Sequence, residues 1–201
     1  LHLSIRRQRQ MCIRDRATAF YLIETGALKI LQGTAEGQEL IVRFAGPGDP
    51  FGGVAVLERA HYPVSARAVD VTRLHSWSGA AMSAMLDRYP RVNVNVMREM
   101  TAHMTDALTR VREMTTQRVG QRLAMTLVRL SRQCGRRTDA GILITHPLTR
   151  QELADLTGTT LYTVSRTLSQ WEVDGVLASR QRHLIITSPH RLASLADGSP
   201  D

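Results

Sequence analysis

The stretch TRQELADLTGTTLYTVSRTLSQWEVDG, residues 149 to 175, predicts two helices joined by a glycine turn. Thr149 and Glu152 form an S/T-x-x-E capping box, in which a hydroxyl and a carboxylate satisfy free backbone N–H groups at a helix start. Gly158 supplies the positive φ that ends this first helix. Thr160 can then cap a second helix, which ends at the last glycine of the stretch. The spacing is that of a helix-turn-helix.

The second helix carries two different faces. Val164, Leu168 and Trp171, spaced i, i+4, i+7, form an apolar stripe that should pack. The opposite face is polar and consists of Tyr162, Ser165, Arg166 and Ser169. An ordinary pair of packed helices has the same spacing. A solvated helix face usually carries Glu and Lys, however, whereas Tyr, Ser and Arg can hydrogen-bond base edges and phosphates. These side chains therefore favour sequence-specific binding of double-stranded DNA.

The segments on either side extend this unit into a winged helix over residues 118–201. RVGQRLAMTLVRLSRQ before it predicts a helix, and VLASRQRHLIIT after it alternates strand, basic turn and strand. Arg180 and Arg182 lie at the tip of this predicted wing. Between the two helical parts we expect a loop, GRRTDAG, and a single strand, ILITHPL.

Composition narrows the class of protein. The 201 residues carry a formal charge of +8 and a pI near 10.6, which suits a polyanionic partner. No apolar run approaches the roughly 18 residues of a membrane span, and no signal-peptide core is present, so we expect a cytoplasmic protein. Cys12 and Cys134 lack CxxC spacing and predict neither structural zinc nor an iron-sulfur cluster held by four protein thiolates.

Motifs of catalysis are missing from the sequence. It contains no nucleophile elbow, no P-loop and no HExxH, and its acidic residues are scattered singly. We therefore expect that the protein is not an enzyme.

Residues 1–16, LHLSIRRQRQMCIRDR, differ from the rest of the chain. They contain five Arg against one Asp and show no apolar period. A disordered basic tail and a flexible DNA-contacting arm are two interpretations of such a segment. We favour a third, because the string looks like a translated sequencing adapter fused to a truncated frame, and we exclude it from the fold prediction.

From residue 17 onwards the pattern is that of short strands. FYLIETGALKIL predicts two strands around a Thr25-Gly26 turn, and ELIVRFA predicts a third after a turn at residues 35–38. A rigid loop follows at residues 46–50, and SARAVDVTRLHSW supplies further strands. Consecutive hairpins of this kind predict a small β-roll or barrel.

Two helices are predicted after these strands. GAAMSAMLDR forms a short helix that ends before Pro90, and a longer one covers residues 90–117. Apolar residues recur in the longer helix at heptad positions a and d. This seam consists of Met97, Met100, Met104, Ala107, Val111 and Met114. A seam needs a partner helix, although the same methionines could instead face their own β-roll, because Met is a common core filler.

TRQELADLTGTTLYTVSR closely resembles the DNA-binding helices of the bacterial Crp/Fnr superfamily of transcription regulators. In that family the hydroxyl, Arg and Gln that open the first helix contact phosphates, and a Ser-Arg pair of the second helix reads bases. The resemblance carries the phosphate contacts to residues 149–151 and base reading to Ser165 and Arg166. Tyr162 stands where many members have Glu, so the base facing it is not predicted. The full predicted DNA-binding set is Thr149, Arg150, Gln151, Thr160, Tyr162, Ser165, Arg166, Ser169, Arg180 and Arg182.

FYLIETGALKIL followed by GPGDPFGG resembles the cyclic-nucleotide-binding sensor domain of the same superfamily, without that domain's first strands. In members that bind cyclic AMP, a Gly-Glu pair and an Arg-Ser pair hold the ribose and the cyclic phosphate. The carboxylate and the guanidinium are both absent here, and the Thr-Ser contact made from the long helix falls at Ala107-Leu108. These departures argue against cyclic AMP. The matching effector-pocket residues of this chain are Gly52, Gly53, Val64 and Ser65.

The cofactor is unknown from the sequence. The pocket has an apolar lining and could hold a different ligand or a haem, or be a structural remnant. His61 and His75 lie in or near the roll and are candidate haem ligands, although no spacing marks them. We expect His103, beside the seam, to be a solvated or interface residue. RQELADLTG and TGTTLYTVSR most resemble family members that regulate anaerobic nitrogen-oxide metabolism, some of which sense nitric oxide through haem.

The resemblance implies an α+β fold with an N-terminal β-roll or jelly-roll sensor domain, a long dimerisation helix and a C-terminal winged helix-turn-helix domain. It also implies a transcription regulator that binds a palindromic promoter site as a homodimer, with RNA polymerase as a further partner. The alternative is a cyclic-nucleotide-binding signalling module, which Gly53 and Val64 disfavour. The predicted segments are the non-native or disordered residues 1–16, the truncated β-roll 17–89, the dimerisation helix 90–117 and the DNA-binding domain 118–201.

Overall fold

The computed structural model forms two compact units, Leu1–Leu108 and Thr109–Asp201, which we call the N-terminal and C-terminal units. The residues that it describes are 10–11, 16–33, 39–58, 60–180 and 183–198. The turn expected at residues 35–38, Arg182 and most of residues 1–16 lie outside these ranges. Among the described helices, none combines the length and the apolar character that crossing a membrane would require.

The N-terminal unit contains two antiparallel sheets. Its strands are β1 (Gln10–Met11), β2 (Ala19–Thr25), β3 (Leu28–Gly33), β4 (Glu39–Ala45), β5 (Pro50–Phe51), β6 (Ser65–Ala68) and β7 (Arg73–Ser78). One sheet has the order β1-β6-β3-β4 and the other the order β5-β2-β7. The strands expected from the three apolar segments are therefore present.

The turn between β2 and β3 does not form the hairpin that the sequence suggested. The two strands belong to different sheets, because the chain changes sheet at Gly26, which has a φ of +84°. The connection between β6 and β7 passes the same corner: Asp70 Oδ1 accepts from the Ala27 N–H at 3.0 Å, and the Thr72 hydroxyl donates to the Ala27 carbonyl at 3.1 Å. A Cβ at Gly26 would lie 2.6 Å from Thr72 Cα, so this corner requires glycine.

Three helices accompany these sheets, namely α1 (Gly53–Leu57), α2 (Gly79–Arg88) and the start of α3 (Pro90–Thr116). The short α1 was not predicted. Ser78 caps α2 by accepting from the Ala81 N–H at 3.3 Å, and α3 begins at Pro90, where a missing N–H costs nothing. Two apolar clusters fill the unit, one around Phe20, Tyr62 and Met82 and the other around Ile23.

The C-terminal unit combines four helices with one small sheet. After the end of α3 come α4 (Val119–Cys134), β8 (Gly135–Thr138), β9 (Gly141–Ile144), α5 (Arg150–Thr157), α6 (Leu161–Val173), β10 (Leu177–Arg180), β11 (His183–Ile186) and α7 (Pro189–Asp197). The sheet order is β10-β11-β9-β8. α7, which was not predicted, packs against α4. The core includes the fully buried Leu123, Leu127, Ile144, Leu153 and Leu192.

The expected loop GRRTDAG is instead half of a hairpin. Its first four residues form β8, which pairs with β9, and the strand expected from ILITHPL ends at Ile144. α4 passes directly into β8 because Gly135 lacks a side chain: a Cβ there would lie 2.1 Å from the Ser131 carbonyl oxygen. The polar composition of GRRT hid this strand, since an edge strand shows no apolar alternation when both faces meet solvent.

Candidate nucleic-acid interface and sensor cavity

The first helix of the helix-turn-helix, α5, begins at the predicted capping box. The Thr149 hydroxyl accepts from the Glu152 N–H at 3.1 Å, and the Glu152 carboxylate accepts from the Thr149 N–H at 2.8 Å. The helix ends at Gly158, whose φ of +61° is left-handed. Both ends are therefore fixed by residues within the helix-turn-helix itself.

A side chain that sequence reasoning missed fixes the turn from outside. Arg122 of α4 donates from Nε to the Thr157 carbonyl at 2.9 Å and from Nη1 to the Gln117 carbonyl at 2.8 Å. It thereby satisfies a carbonyl at the end of α5 that has no partner within the helix. Because this contact joins residues 35 positions apart, no local sequence pattern predicts it.

The second helix, α6, has the two faces that its sequence predicted. Thr160 caps it by accepting from the Thr163 N–H at 3.2 Å. Val164, Leu168 and Trp171 are buried in the unit. Burial of this stripe against the core leaves the opposite face directed to solvent.

The polar face of α6 is available to a partner at most of its positions. Tyr162 is 76% exposed, and Arg166 and Ser169 are exposed as well. Ser165 is half-buried, and its backbone carbonyl accepts a hydrogen bond from Arg150. The face therefore presents a phenol, a guanidinium and a hydroxyl, which are donors suited to base edges and phosphates.

Arg150 is engaged within the protein, which the sequence did not predict. Its Nη1 donates to the Ser165 carbonyl at 2.9 Å, and its Nη2 lies 4.0 Å from Glu172 Oε1. Glu172 in turn accepts from the Ser179 hydroxyl. The network ties α5 to α6 and to the first strand of the wing. The neighbouring Gln151 side chain donates to Asp155 Oδ1 at 2.8 Å.

The wing is the hairpin of β10 and β11, in which Arg180 pairs with His183. Arg180 is exposed, whereas Arg182 lies outside the described residues. A groove of about 310 Å³ separates the wing from the start of α5. Its polar lining residues are Thr149, Arg150, Ser179 and His183. Two of the predicted phosphate-contacting residues thus line the groove beside the wing.

The N-terminal unit contains a cavity of about 290 Å³. Gly52, Gly53 and Val64 of the predicted effector pocket line it, whereas Ser65 is buried outside the lining. Apolar side chains of β2, β3 and α3 form much of the remaining wall, as expected. Three polar side chains also line it that the sequence did not place there: Arg43, Glu99 and His103.

Arg43 brings a guanidinium to this cavity from a position outside the family motif. Its Nη1 lies 3.4 Å from Asp49 Oδ2, and its side chain is only 19% exposed. His103, expected to be a solvated or interface residue, is a half-buried part of the cavity wall. Burial and, second, the positive charge of Arg43 lower the pKa of His103 below 6.5. This imidazole is therefore mainly neutral at neutral pH.

The two candidate haem ligands lie away from the cavity lining. His61 is exposed, and its backbone bridges to Arg16. His75 lies on β7, with Nε2 3.7 Å from Glu24 Oε2. In the parts of the chain that the structure describes, no group of three His, Cys, Asp or Glu residues is placed to hold a metal ion.

An apolar stripe on α3 is exposed in the single chain. Met97, Met104 and Val111 are 69%, 67% and 60% exposed. Leu108, which the heptad assignment left out, is 61% exposed and lies on the same side, eleven residues after Met97. Met100 is 48% exposed and also lines the cavity of the N-terminal unit, while Met114 is 49% exposed and Ala107 is exposed too. All six residues of the seam predicted from the sequence are therefore exposed in the single chain.

The last turns of α3 carry a buried ion pair within the C-terminal unit. Glu113 is 3% exposed and accepts from Arg129 Nη1 at 2.7 and 2.9 Å through its two oxygens. Arg129 also donates to the Thr126 hydroxyl at 3.1 Å. Since a buried charge without a partner is costly, the pair fastens α3 to α4.

Comparison with known protein families covers both units. Residues 121–195 match the Crp-like helix-turn-helix domain, and residues 10–89 match the cyclic nucleotide-binding domain. Both matches agree with the predicted fold class and with the helix-turn-helix prediction.

Characterised relatives match most of the chain. It is 24% identical over 176 residues to a CRP-like cAMP-activated global transcriptional regulator of Mycobacterium tuberculosis, a match that covers 88% of this chain and 79% of the relative. It is 25% identical over 182 residues to the fumarate and nitrate reduction regulatory protein of Salmonella typhimurium, with coverages of 90% and 72%. A CRP-family transcriptional regulator from Thermus thermophilus has a similar fold: the TM-score is 0.79 at 22% identity, over 96% of this chain and 95% of that one.

Proposed function

We propose that this chain, which belongs to the Crp/Fnr superfamily of transcription regulators, binds a palindromic promoter site as a homodimer. A signal received by its β-roll would control this binding. Its relatives are transcription regulators rather than enzymes. The observation that carries the proposal is the exposed polar face of α6, on a helix whose start and packing are fixed by Thr160 and by its buried stripe. The protein would act in the cytoplasm, where its DNA is, and with RNA polymerase.

In this proposal α6 reads the bases, and the start of α5 positions the protein on the DNA backbone. Arg166 lies one helical turn beyond Tyr162 on the exposed face, where a guanidinium can donate a bidentate pair to guanine O6 and N7. The preceding helix, α5, is capped by Thr149 and begins with Arg150 and Gln151. In this proposal all three residues contact phosphates of the DNA backbone. Arg150 also donates to the Ser165 carbonyl, whereas the position of the reading helix is set by its cap Thr160 and by its buried stripe.

A competition binding experiment over all half-site variants of an operator tests this division. Arg166→Ala should relax specificity at one base pair per half-site, a change of about 1–3 kcal/mol. Arg150→Ala should weaken all sequences alike and lower the salt slope by roughly one unit per site. Gln151→Ala is the matched comparison, since it removes an uncharged phosphate-contacting side chain and keeps the contact between α5 and α6; affinity should fall for all sequences while the salt slope stays unchanged. A uniform loss for Arg166→Ala, with altered base preference for Arg150→Ala, would show that the reading helix is assigned wrongly.

Dimerisation through α3 would place two recognition helices in successive major grooves, about one turn of DNA apart. The exposed stripe of Met97, Met104, Leu108 and Val111 supports this part of the proposal, because a soluble helix rarely exposes so many large apolar side chains without a partner. The double variant Met104→Glu, Val111→Glu should be monomeric by sedimentation and should lose operator binding. A variant that stays dimeric would remove the stripe from the interface.

The proposed signal is a ligand that binds in the N-terminal unit. We propose that the ligand occupies the cavity lined by Gly52, Gly53 and Val64, and that it is not cyclic AMP, because the Glu and Arg of the family motif are absent. Arg43 could pair with an anion only in competition with Asp49. A haem needs an axial ligand, and neither His61 nor His75 lines the cavity, so these two residues do not fit that group.

A further inference from the structure

A basic surface lies on the C-terminal unit outside the helix-turn-helix and the wing. Arg132 is in the last turn of α4, and Arg136 and Arg137 follow on β8; all three are exposed. From residue 132 to residue 140 the single acidic residue is Asp139. We call Arg132, Arg136 and Arg137 the basic edge, because β8 is the edge strand of its sheet.

The sheet fixes where this edge lies relative to the wing. In the order β10-β11-β9-β8, three strand spacings separate β8 from β10, which is about 14 Å. Arg136 pairs with Leu143, which in turn pairs with Ile185 of the wing strand. Ile185 is two residues, about 7 Å, behind His183 at the described end of the wing. The basic edge therefore lies beside the wing and slightly behind it.

The chemistry of this edge indicates the kind of partner. Every residue of β8 is exposed, and the strand reads Gly-Arg-Arg-Thr, so it offers no apolar anchor of the sort that a protein interface is built around. Phosphates require only positive charge and hydrogen-bond donors. A lateral offset of about 14 Å is comparable to the roughly 12 Å width of a major groove. A duplex held by the wing would therefore present further phosphates on this side.

We propose that the basic edge contacts backbone phosphates of the DNA that flanks the operator, so that the protein's binding site extends beyond the bases read by α6. This rests on the proposed function. The contact carries no sequence information, because guanidinium groups on phosphates position a protein without reading bases. The phosphate contact increases the affinity and its dependence on salt only for DNA that is long enough to reach the basic edge.

The experiment compares two duplexes that carry the same operator, selected from random-sequence DNA with the full chain. One duplex ends at the operator and the other continues by about one and a half turns on each side. Arg136 and Arg137 are consecutive on β8, so their side chains leave opposite faces of the sheet and one of the two meets the DNA backbone. For the double variant Arg136→Ala, Arg137→Ala, the slope of log affinity against log salt should therefore fall by about one per protomer on the long duplex, at about 0.9 per phosphate. On the short duplex the slope and the affinity should equal those of the unchanged protein.

A charge-conserving variant is the matched control. Arg136→Lys, Arg137→Lys keeps both positive charges at the same backbone positions and should retain most of the long-duplex slope, since Lys also binds phosphate as a point charge. Thermal unfolding of both variants checks that β8 still forms. Equal slopes on the long duplex for the unchanged protein and the alanine variant overturn the proposal, as does a lysine variant that behaves like the alanine variant.

Two further outcomes separate this proposal from others. If the unchanged protein fails to select or bind the short operator, the proposed function fails, whatever the basic edge does. If the alanine variant binds both duplexes normally but loses transcription with purified RNA polymerase, the edge is a protein-contacting surface and the phosphate proposal is wrong.

Discussion

The two units of the molecule differ in how their chain is held. In the C-terminal unit, Thr149 caps α5 through a residue three positions away, and Thr160 caps α6 in the same manner. In the N-terminal unit, the corner at Ala27 is closed by Asp70 and Thr72, 43 and 45 residues further along the chain. Contacts made between near neighbours leave a pattern in the sequence, whereas contacts across the fold do not. The helix-turn-helix could therefore be predicted in detail, and the sheets of the roll could not.

Packing differs between the units as well. Among the described residues, the largest fully buried side chains lie mostly in the C-terminal unit, and Ile23 and Met82 are the ones that the N-terminal unit contributes. Empty space does not distinguish the units, because the cavity of about 290 Å³ in the N-terminal unit and the groove of about 310 Å³ beside the wing have similar volumes. The difference lies in the cores. A core of many fully buried side chains suits a unit that presents one rigid face to DNA, and a core with fewer of them leaves more room to respond to a ligand.

The largest expected effect tests this difference in packing with one substitution made in each unit. Val164 is fully buried on α6, so Val164→Ala should destabilise the C-terminal unit by about 2 kcal/mol through lost burial and a new void. Val64 is half-buried in the cavity wall, and Val64→Ala should cost the N-terminal unit about 1 kcal/mol or less. Thermal unfolding followed by calorimetry measures both. Equal losses would show that the cavity wall around Val64 is packed as densely as the core around Val164.

The next effect tests whether the helix-turn-helix is held by local contacts. Thr149→Ala removes the hydroxyl of the capping box and should cost about 1 kcal/mol, measured by denaturant unfolding of the C-terminal unit. Thr149→Ser keeps an oxygen that accepts from the Glu152 N–H and should lose little. If the serine variant is as unstable as the alanine variant, the threonine methyl rather than the cap provides the stability.

The smallest effect concerns pH and the N-terminal unit. The pKa of His103 in the folded chain is below its ordinary value of 6.5, because burial and Arg43 disfavour the charged imidazole. As pH falls below 6.5, the unfolded chain gains a proton that the folded chain resists, so stability declines until the folded pKa is passed. His103→Gln should reduce this decline. Melting temperatures of both proteins at pH 7.5 and 5.5 check it, and an identical decline in the variant would exclude His103 as its source.

Sequence reasoning predicted those parts of the site that depend on helix periodicity. The capping box at Thr149, the left-handed Gly158 and the buried face of α6 are all present. It missed the groups that reach the site from other elements. Arg122 supports the turn from α4, and Arg43 and His103 line the cavity from β4 and α3. Their roles depend on which elements pack together, which periodicity along one helix or strand does not specify.

Beta structure shows the same limit. The strands of the roll were predicted from their apolar runs, but the assignment of β2 and β3 to one hairpin was wrong, because adjacency in sequence was taken for pairing in space. β8 was missed because an exposed edge strand of Gly, Arg and Thr has the composition of a loop. In both cases the structure depends on which strand supplies the hydrogen-bonding partner, and neither adjacency in sequence nor local composition identifies that strand.

The Glu113–Arg129 ion pair has a consequence for how such regulators can be recombined. A chimaera that joins this DNA-binding domain to a foreign sensor at residue 118 would inherit Arg129 and lose its carboxylate. A partly buried guanidinium without its partner would then destabilise the hybrid, by about 1–3 kcal/mol. A crossover before Thr109 transfers both residues together. Exchange of sensors between relatives, in evolution or in the laboratory, should therefore succeed more often when the end of α3 travels with the DNA-binding domain.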